Sequence, residues 1–207
     1  MKLLYSPGTC SLAPHLVLEE IGEPYEIEFV SNRDGSTRTE AFLKINPKGQ
    51  IPVLMDGDSL ITEVPAILFY LAAKHPNSNL MPNDPFRMSR MIEWMNWLAV
   101  TQATAISGYY RPDKYSKIKE RHAEIVDNSL IKAHEQYILF DQKLRDGLWV
   151  AESFSIVDPY LMVLFRWGNM IGIDMSKFSN LTRHAHAMEA RDATKTVLRK
   201  EDISIWG

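Results

Sequence analysis

The 207-residue chain holds one cysteine, Cys10, where the loop Ser6-Pro7-Gly8-Thr9 gives way to a predicted helix. A helix start offers unpaired N–H groups and the positive end of the helix dipole, so a cysteine there is stabilised as the thiolate that attacks electrophiles and disulfides. The same position also suits a small buried hydrophobe, since free cysteine is often a core residue. Position alone leaves both readings open. Ser6 and Ser11 are hydroxyls near enough in sequence to donate to a thiolate, and Tyr5 directly precedes the loop.

A second constellation runs from Asn46 to Ile67, NPKGQIPVLMDGDSLITEVPAI. Asn46-Pro47-Lys48-Gly49 is a loop signal, because proline fixes φ and glycine frees it. Ile51 to Met55 is a short β-rich run with a proline inside. Pro52 cannot donate to a sheet ladder, so it should open the strand and not sit within it. Asp56-Gly57 turns the chain, Ser59 to Thr62 returns as a strand, and a helix begins at Thr62-Glu63. The Gln50-Ile51-Pro52 backbone and the helix start at Glu63-Val64 should lie close together, and exposed N–H groups at such a start attract a carboxylate. Glu63 also reads as a first-turn carboxylate that complements the helix dipole.

Other side chains offer less chemistry. The six histidines, His15, His75, His122, His134, His184 and His186, form no acid–histidine cluster with metal-ligand spacing. His184 and His186 are two apart on a predicted helix and do not share a face. The Met88, Met91 and Met95 stripe reads as core or dimer interface.

The elements that would position these groups follow in order. Leu3 to Tyr5 reads as a buried strand and Ser11 to Ile21 as a helix, with Pro14 in its first turn and Gly22 and Pro24 stopping it. Tyr25, Ile27 and Phe29 alternate with Glu26 and Glu28, the pattern of a half-buried strand. Thr39 to Ile45 forms a short helix, and the Asn46–Ile67 stretch adds two strands and a helix to about Lys74. The order βαβαββα is the thioredoxin-like arrangement. His75 to Pro85 has three prolines and no periodicity, which marks a linker. Beyond it the β signal vanishes. Helices are expected from Met88 to about Ser107, from Ile118 to an end at Gly147, from Ser155 through Gly168, around Leu181 to Ala190 and around Ala193 to Lys200. Ser155 with Asp158 three residues later reads as a capping box. The expected organisation is therefore an α/β domain over residues 1–76, a joint at 77–85 and an all-α domain over 86–207.

A net charge of −3 argues against a nucleic-acid binder that relies on a basic surface. No apolar run reaches ~18 residues, so no membrane span is expected, and the N-terminus lacks a long apolar signal segment. A single cysteine excludes an intrachain disulfide and a two-cysteine redox centre, and fits a reducing cytoplasm.

The Asn46–Ile67 pattern resembles the glutathione-binding half of glutathione S-transferases, and the start MKLLYSPGTCSLAPHLVLEEIGEPYE resembles the bacterial beta class. The resemblance covers nearly the whole chain. It implies a cis bond at Ile51–Pro52, with the Ile51 backbone pairing with the cysteinyl unit of glutathione as in β-strand addition. It implies Cys10 as the catalytic residue. Tyr5, Ser11, Arg33, Gln50, Ile51, Pro52, Glu63, Val64 and Asn96 are then the glutathione-binding set, with no metal. Trp94-Met95-Asn96-Trp97-Leu98 resembles the beta-class segment of the first long helix, in which an Asn and a His seven residues later face the cysteine. Here Ala103 stands in place of that His, and Val64 stands where relatives carry Ser or Gly. The implied function is conjugation of glutathione to small hydrophobic electrophiles, or thiol–disulfide exchange with it through Cys10. A glutathione- or ligand-binding protein with little turnover is the alternative. The implied assembly is a cytoplasmic homodimer.

Overall fold

The computed structural model describes residues 1–31 and 33–207. The N-terminal part runs β1 (Lys2–Tyr5), α1 (Leu12–Ile21), β2 (Glu26–Phe29), α2 (Glu40–Ile45), β3 (Val53–Asp56), β4 (Ser59–Thr62) and α3 (Val64–Lys74), the expected order. The four strands form one mixed sheet in the order β2-β1-β3-β4, with β1 and β2 parallel and β3 antiparallel to both β1 and β4.

Successive side chains of a strand point to opposite faces. Leu3 and Leu54 therefore face the layer of α1 and α3, joining Leu12, Leu16, Ile67, Leu68 and Leu71 in the main core. Leu4 and Val53 face the other way and pack with Phe42 of α2 and with Val30. β3 begins at Val53, one residue after Pro52, because the proline has no N–H to give the ladder. β2 is less buried than its alternation suggests. Its position at the sheet edge leaves Phe29 exposed.

The rest of the fold is helical: α4 (Pro85–Asn96), α5 (Ala103–Tyr110), α6 (His122–Lys143), α7 (Val157–Met170), α8 (Ser179–Ala190) and α9 (Asp192–Glu201). The helix expected from Met88 starts three residues earlier, where the Asp84 side chain accepts the Arg87 N–H at 2.9 Å. Between α4 and α5, Trp97–Gln102 is a π-helical segment. Its wider i→i+5 bonding rotates the face presented downstream relative to a straight α-helix. Met91 and Met95 are buried within the chain. α1 packs against both α7 and α9, which ties the sheet half to the helical half. No helix of the described residues is long and apolar enough to cross a membrane.

The start of α7 departs in detail from the expected box. Asp158 does reach back to the Ser155 N–H at 2.8 Å, but the Ser155 hydroxyl donates to the same carboxylate at 3.1 Å and caps no backbone N–H. The other Asp158 oxygen accepts the Val150 N–H at 3.0 Å and lies 3.1 Å from His184 Nε2. Asp158 and His184 are both fully buried, so this carboxylate is a structural hub of the helical domain.

Candidate active site

A cleft of about 120 Å³ opens where the sheet half meets the helical half, bordered by Cys10, Asn46, Gln50, Ile51, Pro52, Thr62, Glu63, Val64, Pro65, Ala99 and Tyr160. It brings together Cys10, Gln50, Ile51, Pro52, Glu63 and Val64 from the sequence-derived set. The Ile51–Pro52 peptide bond is cis.

The loop before β3 is shaped by Asn46. Its side-chain amide donates to the Gln50 carbonyl at 2.7 Å and its side-chain oxygen accepts the Lys48 N–H at 3.2 Å. Gly49 sits at φ +62, and a Cβ there would meet Arg38 Nη1 at 2.5 Å, so glycine is needed for both conformation and space. Across the cleft, Glu63 caps α3 at φ +74, an unusual conformation for a residue with a Cβ and of a kind that clusters at ligand clamps. The first N–H groups of a helix have no partner inside it. Pro65 has no N–H, so Val64 and Ala66 carry the donors available at this start. The Glu63 carboxylate meets the Lys48 ammonium, which also donates to the Thr62 hydroxyl at 2.8 Å.

Cys10 keeps part of its surface exposed to the cleft, and its thiol lies 3.7 Å from the Ile51 carbonyl, to which it donates. Burial pushes the thiol pKa up to about 11; the cysteine's own backbone N–H opposes the rise and the Glu63 charge adds to it. Loss of hydration thus outweighs the helix start, and Cys10 is a neutral thiol at physiological pH, not the stabilised thiolate that its position suggests.

The loop carrying Cys10 is gripped by the helical half. The Gly8 N–H donates to Glu201 Oε2 at 2.8 Å, while Trp167 Nε1 and Arg166 Nη1 donate to the Gly8 carbonyl at 3.0 and 3.3 Å. Gly8 has φ +65, and a Cβ there would meet Arg166 Nη1 at 2.8 Å.

The other sequence-derived residues lie outside the cleft lining. Ser11 is fully buried, and its hydroxyl is spent inside the loop, donating to the Ser6 carbonyl at 3.0 Å and accepting the Ser6 N–H at 3.2 Å. Tyr5 packs edge-on against His15 and Phe29. Arg33 is exposed, its N–H bonded to the Ser31 hydroxyl. Asn96 borders a separate apolar groove with Phe69 and Met95. Ala99, three residues on within the π segment, is what this stretch presents to the cleft. Sequence reasoning missed Tyr160, Ala99 and Lys48. Only Lys48 carried a signal, as a cation in the loop facing Glu63.

The family model described as Glutathione S-transferase, N-terminal domain matches residues 8–74, and Glutathione S-transferase, C-terminal domain matches residues 98–192. The chain belongs to the glutathione S-transferase family. Its relatives include Glutathione S-transferase GstA of Escherichia coli O157:H7, 29% identical over 98% of this chain and 100% of that protein. Among solved structures it is similar to a bacterial beta class glutathione S-transferase of Sphingomonas chungbukensis, with 32% identity, a TM-score of 0.86 and coverage of 99% of this chain and 100% of that one. It is also similar to a glutathione transferase homologue from Sulfitobacter with bound glutathione, at 29% identity and a TM-score of 0.92, covering 96% and 97% of the two chains. Its function is therefore that of a glutathione transferase-like enzyme with glutathione as substrate.

Proposed function

We propose that this transferase conjugates glutathione to small hydrophobic electrophiles in the cleft between the two halves. The observation that carries the reading is the convergence of Cys10, the Ile51–Pro52 backbone and the Glu63–Val64 helix start on one cavity. The γ-glutamyl end binds at Glu63 and the N–H groups of Val64 and Ala66, where a helix start favours a carboxylate. The cysteinyl unit pairs with the Ile51 backbone, and Gln50 borders the peptide beyond it. The sulfur then lies beside Cys10, and the helical wall contributed by Ala99 and Tyr160 faces the electrophile.

The protonated state of Cys10 supports conjugation over exchange. Thiol–disulfide exchange needs an attacking thiolate, and a thiol with a pKa of about 11 supplies roughly one part in 10⁴ at pH 7. Conjugation instead uses the thiolate of bound glutathione and leaves Cys10 protonated beside it, its S–H directed at the Ile51 carbonyl. Ser11, Tyr5, Arg33 and Asn96 take supporting places, with Ser11 shaping the loop that presents Cys10.

The enzyme works as a homodimer. An apolar groove of about 280 Å³ lies between α3 and α4, with Pro65, Ala66, Met91 and Met95 in its lining. Phe69 and Ile92 at this groove stay 41% and 38% exposed in the single chain, a contiguous apolar surface suited to a two-fold contact. A cytoplasmic setting accords with the lone unpaired cysteine.

Titration calorimetry with glutathione, followed by conjugation assays with an aryl halide, tests the reading. Binding in the micromolar to millimolar range with measurable conjugate is expected. No binding up to millimolar glutathione would overturn it.

A further inference from the structure

We propose that the Tyr160 hydroxyl is the hydrogen-bond donor that holds the sulfur of bound glutathione as a thiolate. This rests on the glutathione reading of the cleft. Tyr160 lies in the first turn of α7, is 4% exposed, and borders the cleft together with Cys10, Ile51, Glu63 and Ala99.

A buried phenol ordinarily finds a partner. Tyr137 donates to the Leu164 carbonyl, Tyr25 to Glu19 and Tyr70 to Asp56, whereas the hydroxyls of Tyr5 and Tyr109 make no bond to a described residue but lie outside the cleft lining. The Tyr160 hydroxyl makes no hydrogen bond to any described residue, yet it is not among the sealed polar atoms left without a partner. It therefore keeps access to open space, and the space its side chain borders is the cleft. Around Cys10 the alternatives are committed elsewhere. The Cys10 thiol donates to Ile51, Ser11 is tied to Ser6, and Tyr5 lies outside the cleft lining. Ala103, at the start of α5, has no polar side chain.

The hydroxyl is also a durable donor. Burial, and after it the Cys10 thiol once ionised at high pH and the Glu63 carboxylate, hold its pKa well above that of free tyrosine, so it stays protonated while glutathione ionises. The glutathione proton leaves to solvent, and the phenol O–H then donates to the anionic sulfur without transferring its own proton. Its position is fixed by the neighbouring Asp158, which the Ser155 N–H, the Val150 N–H and His184 hold in place two residues earlier in the chain.

The test compares the wild type with Tyr160→Phe, which removes one oxygen and keeps the ring. The ultraviolet absorbance of bound glutathione thiolate is followed against pH, and turnover of an aryl halide is measured at saturating glutathione. A hydrogen bond to a charged group is worth roughly a tenfold change or more. The variant should bind glutathione within about threefold of wild type, raise the apparent thiol pKa by about one unit, and lose about tenfold or more in kcat near neutral pH. Raising the pH should restore most of that rate, because the thiolate then forms unaided. Unchanged thiol pKa and kcat in Tyr160→Phe, beside an active wild type, would overturn this assignment alone. A lower melting temperature with unchanged thiol pKa would overturn it too, by giving the hydroxyl to the fold. A wild type that binds no glutathione would overturn the proposed function itself.

Discussion

His15 Nδ1 and Glu201 Oε1 lie 2.6 Å apart with both side chains fully buried, and the second Glu201 oxygen accepts the Gly8 N–H at 2.8 Å. One carboxylate thus joins α1, α9 and the loop that presents Cys10. Removing one member of a buried pair leaves the other without its partner, which costs about 3–5 kcal/mol. Glu201→Ala should lower unfolding free energy by that order in urea titrations. A change below about 1 kcal/mol would show that the carboxylate is dispensable to the joint.

Cys10 should resist alkylation at neutral pH. With its thiol pKa raised to about 11, the thiolate fraction grows with pH across the whole accessible range. The rate of iodoacetamide capture, followed by intact mass, should climb about tenfold per unit between about pH 7 and pH 10. A plateau near pH 8 would contradict the dominance of burial.

Glu63 should matter for ligand and little for the fold. Its ion pair with Lys48 is about half exposed, and such pairs add ~0–1 kcal/mol to stability. A charge-assisted hydrogen bond to the γ-glutamyl end is worth more. Glu63→Ala should weaken glutathione binding by about 1–3 kcal/mol in calorimetry while leaving the melting temperature nearly unchanged.

The groove between α3 and α4 should be the dimer contact. Ile92→Glu places a charge on its apolar lining. Light scattering at micromolar protein should give the dimer mass for wild type and the monomer mass for the variant. A monomeric wild type would contradict the assembly.

Much of the sheet half was legible because its signals are local. The Pro52 strand start, the Asp56-Gly57 turn and the leucine spacing of α1 and α3 each follow from a few adjacent residues. Glu63, Ile51 and Cys10 could be brought together because the thioredoxin-like order fixes β1, β3 and α3 side by side. What was not legible depends on distant or cooperative effects. Tyr160 reaches the cleft from a helix 150 residues beyond Cys10. The π segment at Trp97–Gln102 contains no proline or glycine to announce it, so the sequence suggests a straight helix through Ala103. The Cys10 environment turns on burial by residues of other elements, which the helix-start argument does not count.

The most direct measurement is a crystal structure of the protein grown with glutathione. The account predicts the γ-glutamyl carboxylate at the Val64 N–H, the cysteinyl backbone paired with Ile51, and the sulfur within hydrogen-bonding reach of Tyr160 and beside Cys10. Glutathione bound elsewhere, or a cleft that stays empty at millimolar glutathione, would contradict it.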